Sequence, residues 1–319
     1  MMTPNNLPIH FAPLQGYTDA AYRQAHARFF GGVSQYYSPF MRIEHGAIRR
    51  KDVRDIDPDN NRFAPLIPQL IASDTAKLEQ IMEVILDKGY RQVDINLGCP
   101  FPMLAKRHNG SGMLPYPEEV KKLLSTAVEH YPQVNFSVKL RLGWEQPEEA
   151  LQLLPLLNEL PLTHLILHPR IGKQQYKGSV NLEAFEAFYH ACRHPLFYNG
   201  DLMTVDDINR ISGRFPKLAG IMIGRGLLAN PALAMEYRQG APLLKTDLAE
   251  RISSLHQDVF TQYGNLLQGG DQQLLNKMKC FWEYLLPEAD RKAHKAIHKA
   301  NRLDVYQSAV QDFIRELKR

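Results

Sequence analysis

The chain has 319 residues, an apolar fraction of 44%, a charged fraction of 23% and a formal net charge of +4. These values are typical of a globular protein with one large domain, or one plus a smaller one, and so mild a charge does not by itself indicate a polyanionic partner. No apolar run approaches the ~18 residues of a membrane span, and the N-terminus has no leader pattern. The three cysteines form no CxxC pair. The sequence therefore predicts a cytoplasmic protein with no membrane segment, disulfide framework or metal site.

Short apolar runs that end in glycine, proline or polar residues predict eight β-strands. They cover residues 8–13, 33–37, 66–71, 92–97, 135–142, 164–168, 196–199 and 220–223. Helices are predicted between several of them: 74–88 with Ser73 or Asp74 as cap, 117–131, 148–160 in spite of Pro155, 181–192 and 204–212. This alternation favours an α/β fold, a (β/α)8 TIM barrel. A doubly wound sheet is the alternative, but it normally carries GxGxxG after its first strand, where this chain reads APLQG.

The pattern changes after Gly240, where strand-like runs stop. Residues 241–247 resemble a linker, and Asp247 with Glu250 predicts a capping box that opens a helix. We therefore expect a catalytic barrel domain over 1–240 and a small all-helical domain over 241–319. Phe281 and Trp282 are expected in the core of that helical domain rather than on a base-stacking surface.

A basic segment, RKAHKAIHKANR at 291–302, contains no acidic residue. At helical spacing it places Arg291, Lys295, His298 and Arg302 on one face. Such a face is often simply solvated.

Polar residues occur on strand faces that are expected to carry apolar side chains in the interior of a barrel. Side chains alternate along a strand, so Ser137, Lys139 and Arg141 share one face of the strand predicted at 135–142. Asp94 and Asn96 likewise share one face of the strand predicted at 92–97. His168 is expected to end the sixth strand with Arg170 on the same side, and Gln69 lies near the end of the third. Each of these residues also has an ordinary structural explanation when it is considered alone. Lys139 could extend to the rim of the barrel, and His168 could be a hydrogen-bonded histidine of the core. Together they predict a polar ligand site at the carboxyl ends of the strands.

Two glycine-bearing loops extend this site. Asn199-Gly200-Asp201 and Gly224-Arg225-Gly226 follow the seventh and eighth strands, where barrels often bind phosphate through backbone N–H groups. Similar sequences also form plain turns. The combination indicates a cofactor that carries phosphate.

Cys99 directly follows a buried strand and the break at Gly98, and a glycine-bearing loop at 109–112 comes after it. A thiol in this place is either a catalytic group beside the ligand or a small buried residue used for packing.

With these motifs in place, the chain resembles the tRNA-dihydrouridine synthases, a flavin-dependent family with this barrel and a helical tail. The matching segments are APL at 12–14, PQL at 68–70, DINLGCP at 94–100, GSGML at 110–114, VKLRLG at 138–143, HPRIGKQQYKG at 168–178, NGD at 199–201 and IGRG at 223–226. The tail matches less strongly, chiefly in MKCFWEYL at 278–285.

The resemblance implies FMN as cofactor, NADPH as reductant and specific tRNA uridines as substrate. It assigns FMN binding to Pro13, Leu14, Gln15, Gln69, Lys139, His168, Asn199, Gly200, Asp201, Gly224 and Arg225. It makes Cys99 the proton donor and places Asn96, Arg141 and Arg170 near the uracil or its phosphates. Contacts with tRNA phosphates are expected from Lys295, Lys299 and Arg302. A monomer is expected.

The chain departs from the usual family pattern in three places: Leu14 replaces methionine, Pro169 and Ile171 replace glycine and threonine, and the apolar residues 101–103 follow the CP step in place of lysines. Two other functions stay open at this point. One is a flavin barrel acting on a free pyrimidine, similar to dihydroorotate or dihydropyrimidine dehydrogenases. The other is a non-catalytic RNA-binding barrel.

Overall fold

The computed structural model describes residues 6–319. Residues 1–5, on which the expectation about a leader partly falls, lie outside the described residues. The strands are β1 Ile9–Phe11, β2 Gln35–Tyr37, β3 Ile43–Glu44, β4 Ala47–Ile48, β5 Leu66–Ile67, β6 Gln69–Leu70, β7 Gln92–Leu97, β8 Asn135–Gly143, β9 Leu165–Ile171, β10 Leu196–Tyr198 and β11 Gly220–Ile223. Strands β3 and β4 form a small antiparallel hairpin, which the sequence interpretation missed. The other nine form one parallel sheet.

The parallel sheet closes on itself. Its order is β5-β2-β1-β11-β10-β9-β8-β7-β6, so β5 pairs with β2 while β6 pairs with β7. Only Pro68 separates β5 from β6, and a proline has no N–H to give to a ladder. The two short strands together are the third of the eight predicted strands. The (β/α)8 barrel is confirmed.

Helices cover the outside of the barrel. They are α1 Ala20–Phe29, α2 Arg50–Asp55, α3 Thr75–Asp87, α4 Pro102–Ala105, α5 Pro117–His130, α6 Glu149–Glu159, α7 Leu182–Ala191, α8 Val205–Arg214, α9 Arg225–Ala229 and α10 Leu233–Gln239. Asp74 caps α3 by accepting from the Lys77 N–H, and Thr204 forms a capping box with Asp207 on α8. The predicted helices of the barrel are all present, with ends shifted by one or two residues.

The region after Gly240 is helical, with α11 Lys245–Leu266, α12 Gly270–Phe281, α13 Arg291–Lys299 and α14 Leu303–Leu317. The predicted capping box at Asp247 and Glu250 is wrong. Helix α11 begins at Lys245, and its N-cap, Leu244, has no side-chain hydrogen bond. Burial of Ala249, Ile252 and Leu255 on one face stabilises this helix instead, so packing decides where it begins.

Of two other expectations for this region, the one for Arg302 is wrong and the one for Trp282 is confirmed. Helix α13 ends at Lys299, so Arg302 does not continue its basic face. Arg302 stands before α14 and pairs with Asp304. Trp282 is buried in the helical core, as predicted, and its Nε1 donates to the Tyr306 hydroxyl at 2.8 Å.

None of the helices in residues 6–319 is both long enough and apolar enough to cross a membrane. Within the same residues, no group of three or more His, Cys, Asp or Glu side chains is arranged to hold a metal ion.

His256 provides a test of the helical core. Trp282 Nε1 donates to the Tyr306 hydroxyl, and this hydroxyl shares a hydrogen bond of 2.7 Å with His256 Nε2. Burial lowers the pKa of His256 to about 4. Since the unfolded chain has the ordinary value of about 6.5, it binds one more proton than the folded chain between these pH values.

We therefore expect His256 to reduce the free energy of unfolding by about 1.4 kcal/mol for each pH unit below 6.5, with full stability above that pH. The variant His256→Gln keeps a hydrogen-bond acceptor and should lose this slope. Urea unfolding between pH 4 and pH 7.5 measures it. Parallel pH curves for the two proteins would contradict the prediction.

Candidate active site

A pocket of about 370 Å³ opens at the carboxyl ends of the barrel strands. Most residues predicted for the site line it: Pro13, Leu14, Gln15, Asn96, Cys99, Lys139, Arg141, His168, Asn199, Gly200, Asp201, Gly224 and Arg225. Gln69 and Arg170 lie behind this lining, at 0% and 2% exposure. Lys295, Lys299 and Arg302 lie on the surface of the helical region and are not among the lining residues.

A chain of hydrogen bonds runs from the barrel interior to Cys99. Asp94, fully buried on β7, accepts from Ser137 Oγ and Gln69 Nε2, both at 2.6 Å. The other end of the Gln69 amide accepts from Asn96 Nδ2 at 2.8 Å. Asn96 Oδ1 then accepts the Cys99 N–H at 2.8 Å. Burial raises the pKa of Asp94 to about 7. In its ionised form the carboxylate can only accept, so it fixes the orientation of the amides above it.

The loop at 109–112 packs directly against Cys99. The Ser111 hydroxyl and N–H both donate to the Cys99 carbonyl, at 2.9 and 3.1 Å. Gly110 has φ +60°, and a Cβ there would lie 2.7 Å from the Cys99 carbonyl oxygen. Glycine is therefore required for this close approach. Burial raises the pKa of the Cys99 thiol, which keeps the thiol protonated at neutral pH.

Lys139 extends from β8 into the pocket. Its ammonium group has no hydrogen bond or ion pair with the described residues. Burial, and then the charge of Arg141, lower the pKa of Lys139 to about 8, while the charge of Asp94 opposes this shift. Lys139 is therefore cationic at neutral pH and faces an open space.

Arg141 is largely used for structure. Its Nε donates to the Gly98 carbonyl at 3.0 Å, and Nη1 donates to the carbonyls of Ile171 and Gln175 at 3.0 and 2.7 Å. These bonds tie β8 to the cysteine loop and to the loop that follows β9. β9 itself continues to Ile171, so His168 does not end the sixth strand as predicted.

Tyr176 was not singled out from the sequence. Its ring lines the pocket, with the Arg225 guanidinium carbon 4.8 Å and the Arg141 guanidinium carbon 5.4 Å from its centroid. Both distances suit cation–π attraction. The segment HPRIGKQQYKG contained this tyrosine, but nothing in its spacing placed it over two arginines.

Asp201 joins the two phosphate-loop candidates. It pairs with Arg170, and its Oδ1 lies 3.0 Å from Arg225 Nη2. Its φ of 45° is in the left-handed region, which aspartate tolerates better than most residues. A side chain at position 200 would be tightly packed, because a Cβ there would lie 3.0 Å from Val180 Cγ1.

The helical region also reaches the pocket. Tyr284 lines it, and Tyr17 packs edge-on against Tyr284 with ring centroids 5.0 Å apart. The Tyr17 hydroxyl donates to Glu283 at 2.7 Å, and Lys277 Nζ donates to the Gly16 carbonyl at 2.8 Å. The loop after β1 is therefore held by the C-terminal helices. No sequence pattern could have found a contact between residues 266 positions apart.

A parallel barrel whose mouth combines a protonated thiol, a lysine without a partner and two glycine-bearing loops defines an α/β-barrel enzyme. A family model described as dihydrouridine synthase (Dus) matches residues 10–315 of this chain. The chain belongs to the dihydrouridine synthase family.

Individual relatives agree with this assignment. A protein of Neisseria meningitidis serogroup B named tRNA-dihydrouridine(16) synthase is 30% identical over 255 residues, which cover 76% of this chain and 75% of the relative. A Pseudomonas putida protein of the same name is 28% identical over 240 residues, covering 72% and 73%. The tRNA-dihydrouridine synthase B of Pasteurella multocida is 24% identical, covering 70% and 67%.

Solved structures share the fold. Morphinone reductase matches with a TM-score of 0.52 and 14% identity, over 76% of this chain and 88% of that chain. The old yellow enzyme from Trypanosoma cruzi matches with a TM-score of 0.51 and 13% identity, over 76% and 92%. At this level of identity the likeness establishes the barrel fold alone.

The chain of hydrogen bonds that runs from Asp94 to Cys99 can be tested by replacing one acceptor with a donor. Asp94→Asn replaces an acceptor with a donor that faces either Ser137 or Gln69. We expect a loss of about 1–3 kcal/mol in the free energy of unfolding and faster alkylation of Cys99 in the folded protein. Peptide-resolved mass spectrometry after iodoacetamide treatment measures the alkylation.

The matched control is Ser137→Ala, which removes one donor but leaves the carboxylate bonded to Gln69. This variant should lose less of the free energy of unfolding and should leave the rate of Cys99 alkylation unchanged. Equal Cys99 rates in Asp94→Asn and the unmodified protein would show that Asp94 does not position the loop.

Proposed function

We propose that this enzyme reduces the C5=C6 bond of specific tRNA uridines to 5,6-dihydrouridine, with bound FMN as hydride carrier, NADPH as reductant and Cys99 as proton donor. The observation that carries the proposal is the protonated thiol of Cys99 at the mouth of a pocket that also contains an unpaired lysine. The names of the relatives support tRNA uridine as the substrate.

The residues present fit a flavin that carries a phosphate group. Lys139 Nζ provides a cation without a partner, suited to an electron-rich edge of a flavin ring. Gly224 lines the pocket without a side chain, so a ligand can approach its backbone closely, and Arg225 adds a cation beside it. We assign the flavin ring to Lys139, His168 and the 13–15 loop, and the phosphate to Gly200, Gly224 and Arg225. When bound, the reduced flavin supplies the hydride.

Cys99 provides the second half of the addition. Saturating a C=C bond requires a hydride on one carbon and a proton on its neighbour. A thiol whose pKa is raised by burial retains its proton at neutral pH, so Cys99 can donate it to the neighbouring carbon. The Cys99 N–H donates to Asn96 Oδ1 and the Cys99 carbonyl accepts from Ser111, and these bonds hold this residue in one backbone conformation.

The substrate must present a single base. A base within a helical stack does not reach the floor of the pocket, so the target uridine has to leave its stack. Asn96 and Arg141 line the pocket beside Cys99 and are assigned to the uracil. We take uridine 16 as the first position to map, because two of the relatives carry that position in their names. We expect a monomer acting in the cytoplasm, where its RNA substrate is found.

We expect Cys99→Ala to retain FMN and to lose at least about 100-fold in the rate of dihydrouridine formation, since general acid catalysis typically contributes 10²–10⁴-fold. Single-turnover reactions with pre-reduced enzyme and unmodified tRNA measure this rate. Cys192→Ala, which changes a half-buried thiol remote from the pocket lining, is the matched control. An undiminished rate in Cys99→Ala would remove the thiol from the reaction.

The basic helix can be tested separately. Lys295 and Lys299 are exposed and form no ion pair within residues 6–319, whereas Arg302 is paired with Asp304. We expect Lys295→Ala/Lys299→Ala to weaken tRNA binding. The slope of log Kd against the logarithm of the salt concentration should fall by the amount that corresponds to the loss of about one to two phosphate contacts. Lys121→Ala/Lys122→Ala on α5 is the control pair. An unchanged slope would assign the RNA surface to other residues.

The substrate class is decided by anaerobic reoxidation of the reduced flavin, followed by visible absorbance. Reoxidation by unmodified tRNA, with free pyrimidines inert, is the expected result. Reoxidation by a free pyrimidine alone would make this a small-molecule reductase. A protein that binds no flavin even when FMN is supplied would favour the non-catalytic RNA-binding barrel.

A further inference from the structure

Arg170 is buried beside His168, and we propose that it is a positioning residue that fixes His168 as the neutral Nδ1–H tautomer, so that His168 presents a hydrogen-bond donor to the ligand of the pocket. The tautomer is a property of the protein alone. Its use in binding a ligand rests on the function proposed above.

The guanidinium of Arg170 is fully engaged. Nε and Nη2 donate to the Gly178 carbonyl at 3.2 and 2.6 Å. Nη1 donates to Asp201 Oδ1 at 2.9 Å, and Nη2 also bonds the same carboxylate. These bonds hold the guanidinium in one plane between β9 and two loops of the mouth. Arg170 is therefore unsuited to contact a substrate directly, which differs from the role that the family resemblance assigned to it.

The remaining contact determines the histidine tautomer. Arg170 Nη1 lies 3.1 Å from His168 Nε2. A guanidinium has only donors, so Nε2 must offer a lone pair, and the single proton of the neutral ring must be on Nδ1. A doubly protonated ring would place two donors against each other. The geometry permits one protonation state.

The charges around His168 act in the same direction. Burial and then the charges of Arg141, Lys139, Arg170 and Arg225 lower the pKa of His168 well below its ordinary value. Asp201 is the carboxylate on this side of the pocket, and it is bonded to Arg170 and Arg225. Tyr176 and Tyr198 also approach this group of side chains. His168 therefore stays neutral across the physiological range.

The Nδ1 side of the ring faces the ligand. His168 lines the pocket, and Nδ1 has no hydrogen-bond partner within residues 6–319. The Nε2 edge of the ring faces the protein instead, because Arg170 Nη1 lies 3.1 Å from Nε2. A donor at Nδ1 selects an acceptor on the ligand, such as a carbonyl or phosphate oxygen. The other tautomer would have selected a donor.

The direct test is the tautomer in the flavin-free protein. Long-range ¹H–¹⁵N correlation spectra of ¹⁵N-histidine-labelled protein distinguish the two ring nitrogens, and the His168 signals are assigned by their loss in His168→Gln. We expect a protonated Nδ1, an unprotonated Nε2 and no titration between pH 5 and pH 8. An Nε2–H ring, or a ring that titrates near pH 6.5, would overturn the proposal without any need for an Arg170 variant.

Two variants separate the arginine from its ion pair. Arg170→Met removes the donors, so we expect a mixture of tautomers or a titrating ring. Asp201→Asn removes the charge on Asp201 but leaves the contact between Arg170 and His168, so the Nδ1–H form should persist. A pure Nδ1–H ring in a folded Arg170→Met would show that another group sets the tautomer.

The consequence for binding is measured by quenching of FMN fluorescence. Loss of one directed hydrogen bond should weaken FMN binding by about tenfold in both Arg170→Met and His168→Gln. A changed tautomer with unchanged FMN affinity would refute the ligand half of the proposal. If the protein formed no dihydrouridine but showed the expected tautomer and affinities, the proposed function would fail and this inference would stand.

Discussion

The pocket contains more positive charge than its own carboxylate can neutralise. Lys139, Arg141 and Arg225 line it, and Asp201 is the carboxylate among the lining residues. Cations withdrawn from water need anionic or polar partners, because desolvation costs several kcal/mol for each ion. A ligand with phosphate and electron-rich oxygens would supply these partners. Arg141 binds backbone carbonyls and Arg225 binds Asp201, but Lys139 has no partner within residues 6–319, so its charge favours such a ligand independently of any relative.

The same charges influence the neutral groups nearby. Burial and then these charges lower the pKa of His168 and keep the ring uncharged. Burial raises the pKa of the Cys99 thiol, and the charges of Arg141 and Lys139 act against that larger effect. The site therefore holds a neutral imidazole and a protonated thiol among cations. A mouth with fewer cations would let the histidine ionise more readily, and a deeper burial of Cys99 would separate the thiol from the substrate.

Much of the barrel could be predicted from apolar runs, because each run marks the position of a strand to within a few residues. The alternation of side chains along each strand then separates those that face the barrel from those that face the helices. This alternation placed Lys139 and Arg141 on the inner face and Arg170 on the side of His168. It could not distinguish a side chain that faces a ligand from one that binds its own backbone, and Arg170 is the second kind. That distinction depends on the Gly178 carbonyl and Asp201, which belong to loops whose paths the sequence does not specify.

The failures in the helical region have a related cause. A capping box at Asp247 was a sound local pattern, but burial of Ile252 and Leu255 stabilised a helix that begins earlier. Tyr284 was invisible as a pocket residue because its position depends on how α12 packs against the loop after β1.

That packing links the two parts of the chain in a physical sense. Lys277 binds the Gly16 carbonyl and Asp19, and Glu283 binds Tyr17, so the helical region holds the second half of the loop that begins with Pro13. A shift of these helices on contact with RNA would move Leu14 and Gln15 at the pocket wall. The loop at the wall assigned to the flavin is therefore held by the same helical region that carries the surface assigned to tRNA. The position of the helices and the shape of the pocket are not independent variables in this protein.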